Sequence, residues 1–418
     1  MTDYRPRVVD HELQQRLRIM GAVLIEGPKA VGKTRTASQH ARTTLRMDED
    51  SAARAAIETY PAQLFEYPAP ILFDEWQEAP EIWNLVRRAV DDHDERGLYL
   101  LTGSARPRDT ARMHSGAGRI GRLSMRPMSL FESGHSSGSV RLAHLMEGSD
   151  PAVARPAALT IPEVFERMVV GGWPATQGFD ERDARAWVEA YLANVAEVDV
   201  PAMGPRRDPV RLARLFSALG RAVGTPLNRS VLAGEVGGAG GPVATETLTH
   251  YLDVLERLML LEPLPAWRPH MRSRAQLRTT PVHHFVDPSL GLAALRVGTR
   301  ELLADLGAAG FHFESLVLRD LRVYAQALGG WLSSWRDTKS GREVDAVLEL
   351  PGGRWAAFEF KLGEAAADSA AESLLSFATR VDADRHGSPT ALVVVTAGRY
   401  MFRREDGVLV VPITMLGP

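Results

Sequence analysis

Of the 49 basic residues in this 418-residue chain, four are lysine: Lys29, Lys33, Lys339 and Lys361. A lysine ammonium is a compact, movable point charge, whereas an arginine guanidinium is a planar fork. A chain that otherwise uses arginine keeps lysine where a point charge on a slim stem is needed. Two of the four lie in "GPKAVGKT", residues 27–34. Gly27, Gly32, Lys33 and Thr34 have the spacing of a loop that wraps phosphate. The glycines free the backbone to turn its amides inward, Lys33 reaches the β- and γ-phosphates, and the Thr34 hydroxyl ligates Mg²⁺. Pro28, Lys29, Ala30 and Val31 complete the wrap and Arg35 follows it. An ordinary glycine turn is the bland alternative. The apolar run "AVLIE" before the loop and the helical pattern after it favour the cradle.

A partner for this loop lies about forty residues on, in "ILFDE". Asp74, ending an apolar run, suits a role in holding Mg²⁺ through water, and Glu75 suits polarising an attacking water. A capping acidic pair for the next helix is the alternative. "LLTGSA" ends with Thr102 and Ser104, candidates to sense the γ-phosphate.

A second constellation surrounds Lys361. "REVDAVLEL" carries Asp345, and "RWAAFEFKL" carries Glu359 and Lys361. Side chains on a strand repeat every two residues, so Glu359 and Lys361 share a face. Fourteen residues separate Asp345 from Glu359, room for a hairpin that brings the three together, with Glu314 on the preceding helix as a further carboxylate. Hard oxygen ligands such as Asp345 and Glu359 suit Mg²⁺, which generates hydroxide and neutralises phosphodiester charge. A neighbouring lysine stabilises the transition state. The alternative is a solvated charged face, which the apolar neighbours in "AVLEL" and "AAFEF" oppose. Lys339 falls in a hairpin and takes no role.

The elements that must position these groups follow from periodicity. Uninterrupted apolar runs at 22–26, 71–74 and 98–102, a weaker one within "TTLRMDED" and a fifth in "RIGRLSMRPMSLFE", closed by Pro127, alternate with helical patterns. That alternation implies a parallel sheet covered on both faces, a three-layer α/β domain. Gly/Ser-rich breaks follow, then helices over 160–200 interrupted by "GGWP". Helices at 230–236 and 245–260, closed by an extended segment, suit a winged-helix module. In that module Thr245, Thr247, Thr249 and His250 stand on the first turns of the second helix. Residues 201–280 hold 11 arginines against six acids, and "WRPHMRSRAQLR" mixes basic and aromatic residues as a phosphate-backbone contact does. A pure packing role for the module is the competing reading. His283 and His284, adjacent on a strand, point to opposite faces and suit packing better than metal ligation. From 311 an amphipathic helix, three strands, a helix and a strand follow.

In their order, "GPKAVGKT", "ILFDEWQ", "LLTGSA", "GRIGRLSMRPMSLFE" and "VVGGWP" resemble the prokaryotic AAA+ superfamily ATPases of largely unknown function, over nearly the whole chain. The resemblance matches its Asp-Glu-x-Gln pattern to Asp74, Glu75 and Gln77, and its Gly-Arg pattern to Gly118 and Arg119. It implies ATP and Mg²⁺ as ligands, assembly into a homo-oligomer, and a finger role for Arg119 on a neighbour's nucleotide, with Arg122 and Arg126 as competitors. The family's lysine after the proline in "TTPVHHFVDPSLG" is Val282 here. The C-terminal block resembles the PD-(D/E)XK nuclease core. The expected fold class is α/β: a P-loop AAA+ core (1–132), a linker and helical lid (133–205), a winged-helix-like module (206–285) and a restriction-nuclease-like domain (286–418). The expected function is Mg²⁺-dependent ATP hydrolysis coupled to DNA binding or processing, with RNA as an alternative partner. The rival is a nucleotide-gated switch whose C-terminal fold is a silent binding surface.

Composition sets outer bounds. Net charge is −3, so any nucleic-acid surface is local. The absence of cysteine removes disulfides, thiolate metal sites and a cysteine nucleophile, and fits a reducing cytoplasm. No run of 18 apolar residues exists, so no membrane partner is expected.

Overall fold

The computed structural model describes residues 4–104, 115–149, 151, 156–203, 208–267, 281–337 and 341–418. Lys339 and all but the first residue of "WRPHMRSRAQLR" lie outside the described residues. The chain divides into two compact units, one formed by 1–126 with 257–259 and the other by the remainder.

The first unit is built on five strands: β1 (Ala22–Glu26), β2 (Thr43–Arg46), β3 (Ile71–Asp74), β4 (Tyr99–Gly103) and β5 (Ile120–Ser124). They form one parallel sheet in the order β2-β3-β4-β1-β5. Every residue of β1, β3 and β4 is buried, as their unbroken apolar runs require of central strands covered on both faces. Helix Val9–Ile19 packs on β1 and β5, and helix Glu81–Asp91 on β1. The latter contributes Ile82, Trp83 and Val86 to a core shared with Leu24, Phe73 and Leu101. β5 ends before Pro127, the residue that closes it in the sequence pattern. Met125 still donates its N–H to Glu26 O at 2.7 Å. Arg126 precedes Pro127, which lacks an N–H and restricts the residue before it, so the ladder stops there.

The second unit holds β6 (Val140–Arg141), β7 (Leu261–Leu264), β8 (Val282–Phe285), β9 (Trp331–Arg336), β10 (Glu343–Glu349), β11 (Trp355–Lys361), β12 (Ala391–Thr396), β13 (Phe402–Arg403), β14 (Leu409–Pro412) and β15 (Leu416–Gly417). Six of them form a mixed sheet ordered β13-β14-β12-β11-β10-β9. β9, β10 and β11 meander antiparallel, and β11, β12 and β14 run parallel. A parallel pair needs a crossover of a dozen or more residues. Between β11 and β12 the crossover carries helix Ala367–Ala378, burying Leu374 and Phe377 against Trp355, Ala357 and Val394. Trp267 joins the same core, its ring 5.4 Å from Trp355. Helix Leu306–Ala327 packs on β9, β10 and β11. Between the units' two main sheets in sequence, helices Pro209–Arg221, Arg229–Gly237 and Thr245–Arg257 precede the antiparallel pair β7–β8. There His284 is buried with Nδ1 2.8 Å from Ser315 Oγ, while His283 Nε2 lies 3.4 Å from Glu256.

The pattern of helix Leu306–Ala327 reads as amphipathic, with a charged face in water. The structure differs: Arg319 and Asp320 are fully buried. Arg319 Nη1 donates to Asp287 Oδ2 at 2.9 Å and its Nε donates to Asp320 Oδ1 at 2.9 Å. Asp287 Oδ2 also accepts from Gly172 N at 2.9 Å, and Asp287 Oδ1 from Ser289 Oγ at 2.6 Å. Asp320 Oδ2 accepts from Leu130 N at 3.0 Å. Each charge is thus paired and each carboxylate further hydrogen-bonded, the condition for burying ions.

Removing one partner of such a buried group leaves the other charged and unpaired. Arg319→Met is therefore expected to destabilise the second unit by about 3–5 kcal/mol, read as a fall in its urea midpoint. A midpoint equal to the parent's would contradict this account.

Candidate functional site

Parallel strands bring their C-terminal ends to one edge of a sheet. Ile25 of β1 lies beside Thr102 of β4, and Arg46 of β2 beside Asp74 of β3. The loop 27–32 leaves β1 at this edge and enters helix Lys33–Ser38. Its shape depends on particular residues. A Cβ at Gly27 would sit 2.1 Å from Met125 O, so only glycine fits. Gly32 adopts φ 98° and Ala30 φ 63°, the left-handed region that glycine tolerates and alanine enters at a cost.

Lys33 is 4% exposed, and its Nζ donates to Gly27 O at 2.9 Å and Pro28 O at 2.8 Å. The ammonium closes the loop on its own carbonyls. Burial lowers its pKa to about 8, against the opposing pull of Glu75 and Asp74. Thr34 Oγ1 donates to Asp74 Oδ1 at 2.8 Å. Thr102 Oγ1 donates to the same oxygen and accepts from Glu75 N at 3.2 Å. Glu75 sits at φ 51°, and its carboxylate accepts from Gln77 Nε2. Val31 and Ser104 are buried in this region, whereas Lys29 and Arg35 are exposed. One connected set of bonds therefore runs from Thr34 through Asp74 and Thr102 to Glu75 and Gln77.

Arg119 is not part of it. Its carbonyl accepts from Ala22 N at 3.1 Å, at the opposite edge of the sheet, and its Nε donates to Asp91 Oδ1 at 2.7 Å. The length of β1, about 16 Å at ~3.3 Å per residue, separates it from the cradle of its own chain. Arg122 Nη1 lies 3.4 Å from Glu26 Oε2, and the Arg126 carbonyl accepts from Arg7 Nη2 at 2.8 Å.

Sequence reasoning missed the N-terminal "YRPR". Arg7 Nη1 donates to Val31 O at 2.9 Å, and Tyr4 OH lies 3.0 Å from Thr36 Oγ1 and donates to Asp10 Oδ1 at 2.6 Å. The segment braces the loop from outside. The only signal was an aromatic and two arginines around a proline, without periodicity.

In the second unit, the ladder between β10 and β11 runs from Glu349–Trp355 to Ala346–Phe358. Beyond it the Asp345 side chain takes the place of a backbone acceptor: Phe360 N donates to Asp345 Oδ2 at 2.7 Å. β10 also shifts register against β9 between Val344 and Val347, a bulge at the same place. Lys361 Nζ donates to Glu359 Oε2 at 2.9 Å and stands 4.0 Å from Asp345 Oδ2. Glu314 completes the group from helix Leu306–Ala327. A Cβ at Gly224, after helix Pro209–Arg221, would lie 2.9 Å from Glu314 Oε2, so the glycine makes room for this carboxyl. Burial, then the charge of Asp345, raises the pKa of Glu314 to about 9 and that of Glu359 to about 8; burial also raises that of Asp345. Lys361 is shifted up by Asp345 and Glu359 in spite of desolvation. Burial and mutual repulsion thus favour the protonated forms of Glu314 and Glu359. Among the described residues no group of three or more His, Asp or Glu side chains stands ready to hold a metal ion, and Glu359 is turned to Lys361 instead.

Comparison with known proteins divides the chain into three. Residues 20–133 match an AAA domain, 161–301 a domain of unknown function (DUF8612), and 309–416 another domain of unknown function (DUF4143). Two uncharacterized mycobacterial proteins, of Mycobacterium tuberculosis and Mycobacterium bovis, are each 24% identical over 413 residues, covering 96% of this chain and 82% of theirs. The AAA match, together with the parallel sheet, suggests an ATPase. No helix among the described residues is long and apolar enough to cross a membrane.

A carboxyl with a raised folded pKa favours folding below its unfolded pKa and loses that contribution as the pH rises through the folded value. The second unit should therefore weaken from pH 5 to pH 9, across the window set by Glu359 and Glu314. Glu314→Gln, which keeps a neutral side chain, should flatten this fall. Urea midpoints of parent and variant at pH 6 and pH 9 test it; an unchanged slope would refute the assignment.

Proposed function

We propose that this chain is a Mg²⁺-dependent ATPase whose nucleotide cycle acts on DNA. The observation that carries the reading is the pairing, at one sheet edge, of a buried Lys33 whose Nζ bonds to loop carbonyls with a Thr34–Asp74 contact of 2.8 Å. An ammonium in that setting gains a partner when a phosphate enters. Thr34 Oγ1 and Asp74 Oδ1 are hard oxygens that suit Mg²⁺. Bound there, Mg²⁺ would neutralise phosphate charge.

The chain's own groups do the rest. The amides of 27–32 wrap the phosphates, Lys33 reaches the β/γ pair, Ser104 contacts the γ-phosphate and Glu75 polarises the attacking water. Attack forms the new bond from water oxygen to γ-phosphorus and breaks the bond to the β–γ bridging oxygen. ADP leaves with the electron pair. Arg119 faces away from its own cradle, so a role in hydrolysis is open to it only on the nucleotide of a neighbouring copy in a homo-oligomer.

The DNA limb of the proposal rests on the second unit. The three helices and the β7–β8 pair suit a winged-helix-like module, with Thr245, Thr249 and His250 exposed on its third helix. The helix, meander, helix and parallel strand of 306–396 suit a restriction-nuclease-like domain with Asp345, Glu359, Lys361 and Glu314 at its fork. The bond between Lys361 and Glu359 favours a second reading, in which this fold is a silent surface for nucleic acid or protein and the ATPase is a switch.

Lys33→Ala is expected to abolish phosphate release from ATP, and turnover at the parent rate would refute the ATPase. Affinity for a non-hydrolysable analogue should fall as the pH rises through about 8. The sign follows because phosphate restores the charge on Lys33, so binding above that pH takes up a proton. An affinity flat from pH 7 to pH 9 would contradict this. Plasmid, single-stranded DNA and RNA with Mg²⁺ or Mn²⁺ separate the two readings of the C-terminal domain. Cleavage lost in Lys361→Ala supports a nuclease; salt-sensitive binding without cleavage supports the switch.

A further inference from the structure

Glu75 does not stand alone. Gln77 donates its Nε2–H to the Glu75 carboxylate, yet its other amide atom, Oε1, is shielded from solvent and has no donor among the described residues. A buried acceptor without a partner is unfavourable, and such orphans ask for an explanation. The surroundings hold this one in place. Glu75 takes the left-handed conformation at φ 51°, which turns the chain into the short helix Trp76–Glu78. Trp76 is 1% exposed, with its ring 5.2 Å from Trp83, so the turn is anchored from below. Next to it β4 ends in Gly103, where a Cβ would come within 2.9 Å of Trp76 Nε1 and 3.1 Å of Gln77 Oε1. Any side chain there would crowd the orphan oxygen. Thr102 and Ser104, flanking that glycine, belong to the same sheet edge as the phosphate loop.

We infer that Gln77 is a catalytic residue: its N–H fixes the Glu75 carboxylate, and its Oε1 accepts one hydrogen of the attacking water while Glu75 accepts the other. The inference rests on the ATPase reading above. A water has two hydrogens to direct and one lone pair to aim at phosphorus, so two acceptors at a fixed separation orient it better than one. Glutamine suits the second position because it both donates to Glu75 and accepts from water. A second carboxylate there would repel the first. In the step, the hydrogen held by Glu75 passes to that carboxylate and on to solvent, the hydrogen held by Gln77 stays on the product phosphate, and the amide ends unchanged.

The alternative is that Gln77 merely supports the turn that carries Trp76. The two roles separate kinetically. In Gln77→Leu, kcat should fall by about 10²-fold, with KM, affinity for a non-hydrolysable ATP analogue and the thermal midpoint unchanged. The isosteric Gln77→Glu, a second variant should leucine disturb folding, should also lose kcat while keeping nucleotide affinity. Turnover at the parent rate in both would overturn the inference. So would a loss of rate matched by an equal loss of analogue affinity or of stability, which marks a structural role. Parent protein and Lys33→Ala run alongside: hydrolysis by the parent alone keeps the ATPase reading even where the Gln77 inference fails, and no hydrolysis by the parent ends both.

Discussion

The second unit closes around one guanidinium. Arg319 cannot be hydrated where it lies, and a charge removed from water costs several kcal/mol unless its partners are themselves satisfied. Asp287 and Asp320 meet that condition through backbone donors from elsewhere in the chain, Gly172 for one and Leu130 for the other. Segments near 128–130, 171–173, 287–289 and 319–320 are therefore interlocked. The glycine pair follows from this. A Cβ at Gly172 would come within 2.2 Å of Met128 O, and one at Gly171, which has φ 72°, within 2.5 Å of Ser289 Oγ. Trp173 then donates to that same serine at 3.0 Å. Glu314 lies little more than one turn before Arg319 on the same helix, so the network that fixes the helix's register also fixes where Glu314 points.

The first unit is organised differently, around strained backbone rather than buried charge. Ala30 and Glu75 occupy the left-handed region, each at a cost of order 1 kcal/mol. Such strain persists where surrounding bonds over-determine it. For Ala30 the neighbouring carbonyls are held by Arg7 and Lys33; for Glu75 the N–H is held by Thr102 and the carboxylate by Gln77. The clash that any larger residue at Gly27 would have with Met125 O adds a steric limit from β5. Ala30 and Glu75 both stand at the edge where the strands end.

Much of this was legible in the sequence because it is periodic or closely spaced. Unbroken apolar runs give β1, β3 and β4, and alternation along β11 places Glu359 beside Lys361. Other features depend on contacts far apart in the chain and leave no local trace. Arg7 and Val31 are 24 residues apart, and Gly172 and Asp287 are 115 apart. The burial of Arg319 and Asp320 ran against their residue types, since charges are read as surface until their partners are known. The end of β5 was visible in Pro127, and the position of Arg119 at the edge opposite Lys33 only once β5 was paired with β1. Gln77 was present in the motif, but its unpaired oxygen is a property of three dimensions.

The two lysines that drew attention first turn out to be electrostatic opposites. Lys33 is deeply buried, its Nζ bonds to neutral carbonyls, and burial lowers its pKa to about 8. Lys361 is a third exposed, touches Glu359 directly, and has its pKa raised by two carboxylates. An anion arriving at Lys33 meets a buried ammonium whose direct bonds are to neutral carbonyls, with Glu75 and Asp74 acting on it only through space. An anion arriving at Lys361 must first compete with Glu359, which already accepts its hydrogen bond. The loop at Lys33 thus leaves its ammonium on neutral carbonyls, whereas the acidic fork is closed on itself. The physical distinction lies in which charges each lysine already faces, not in the residue type that made both conspicuous.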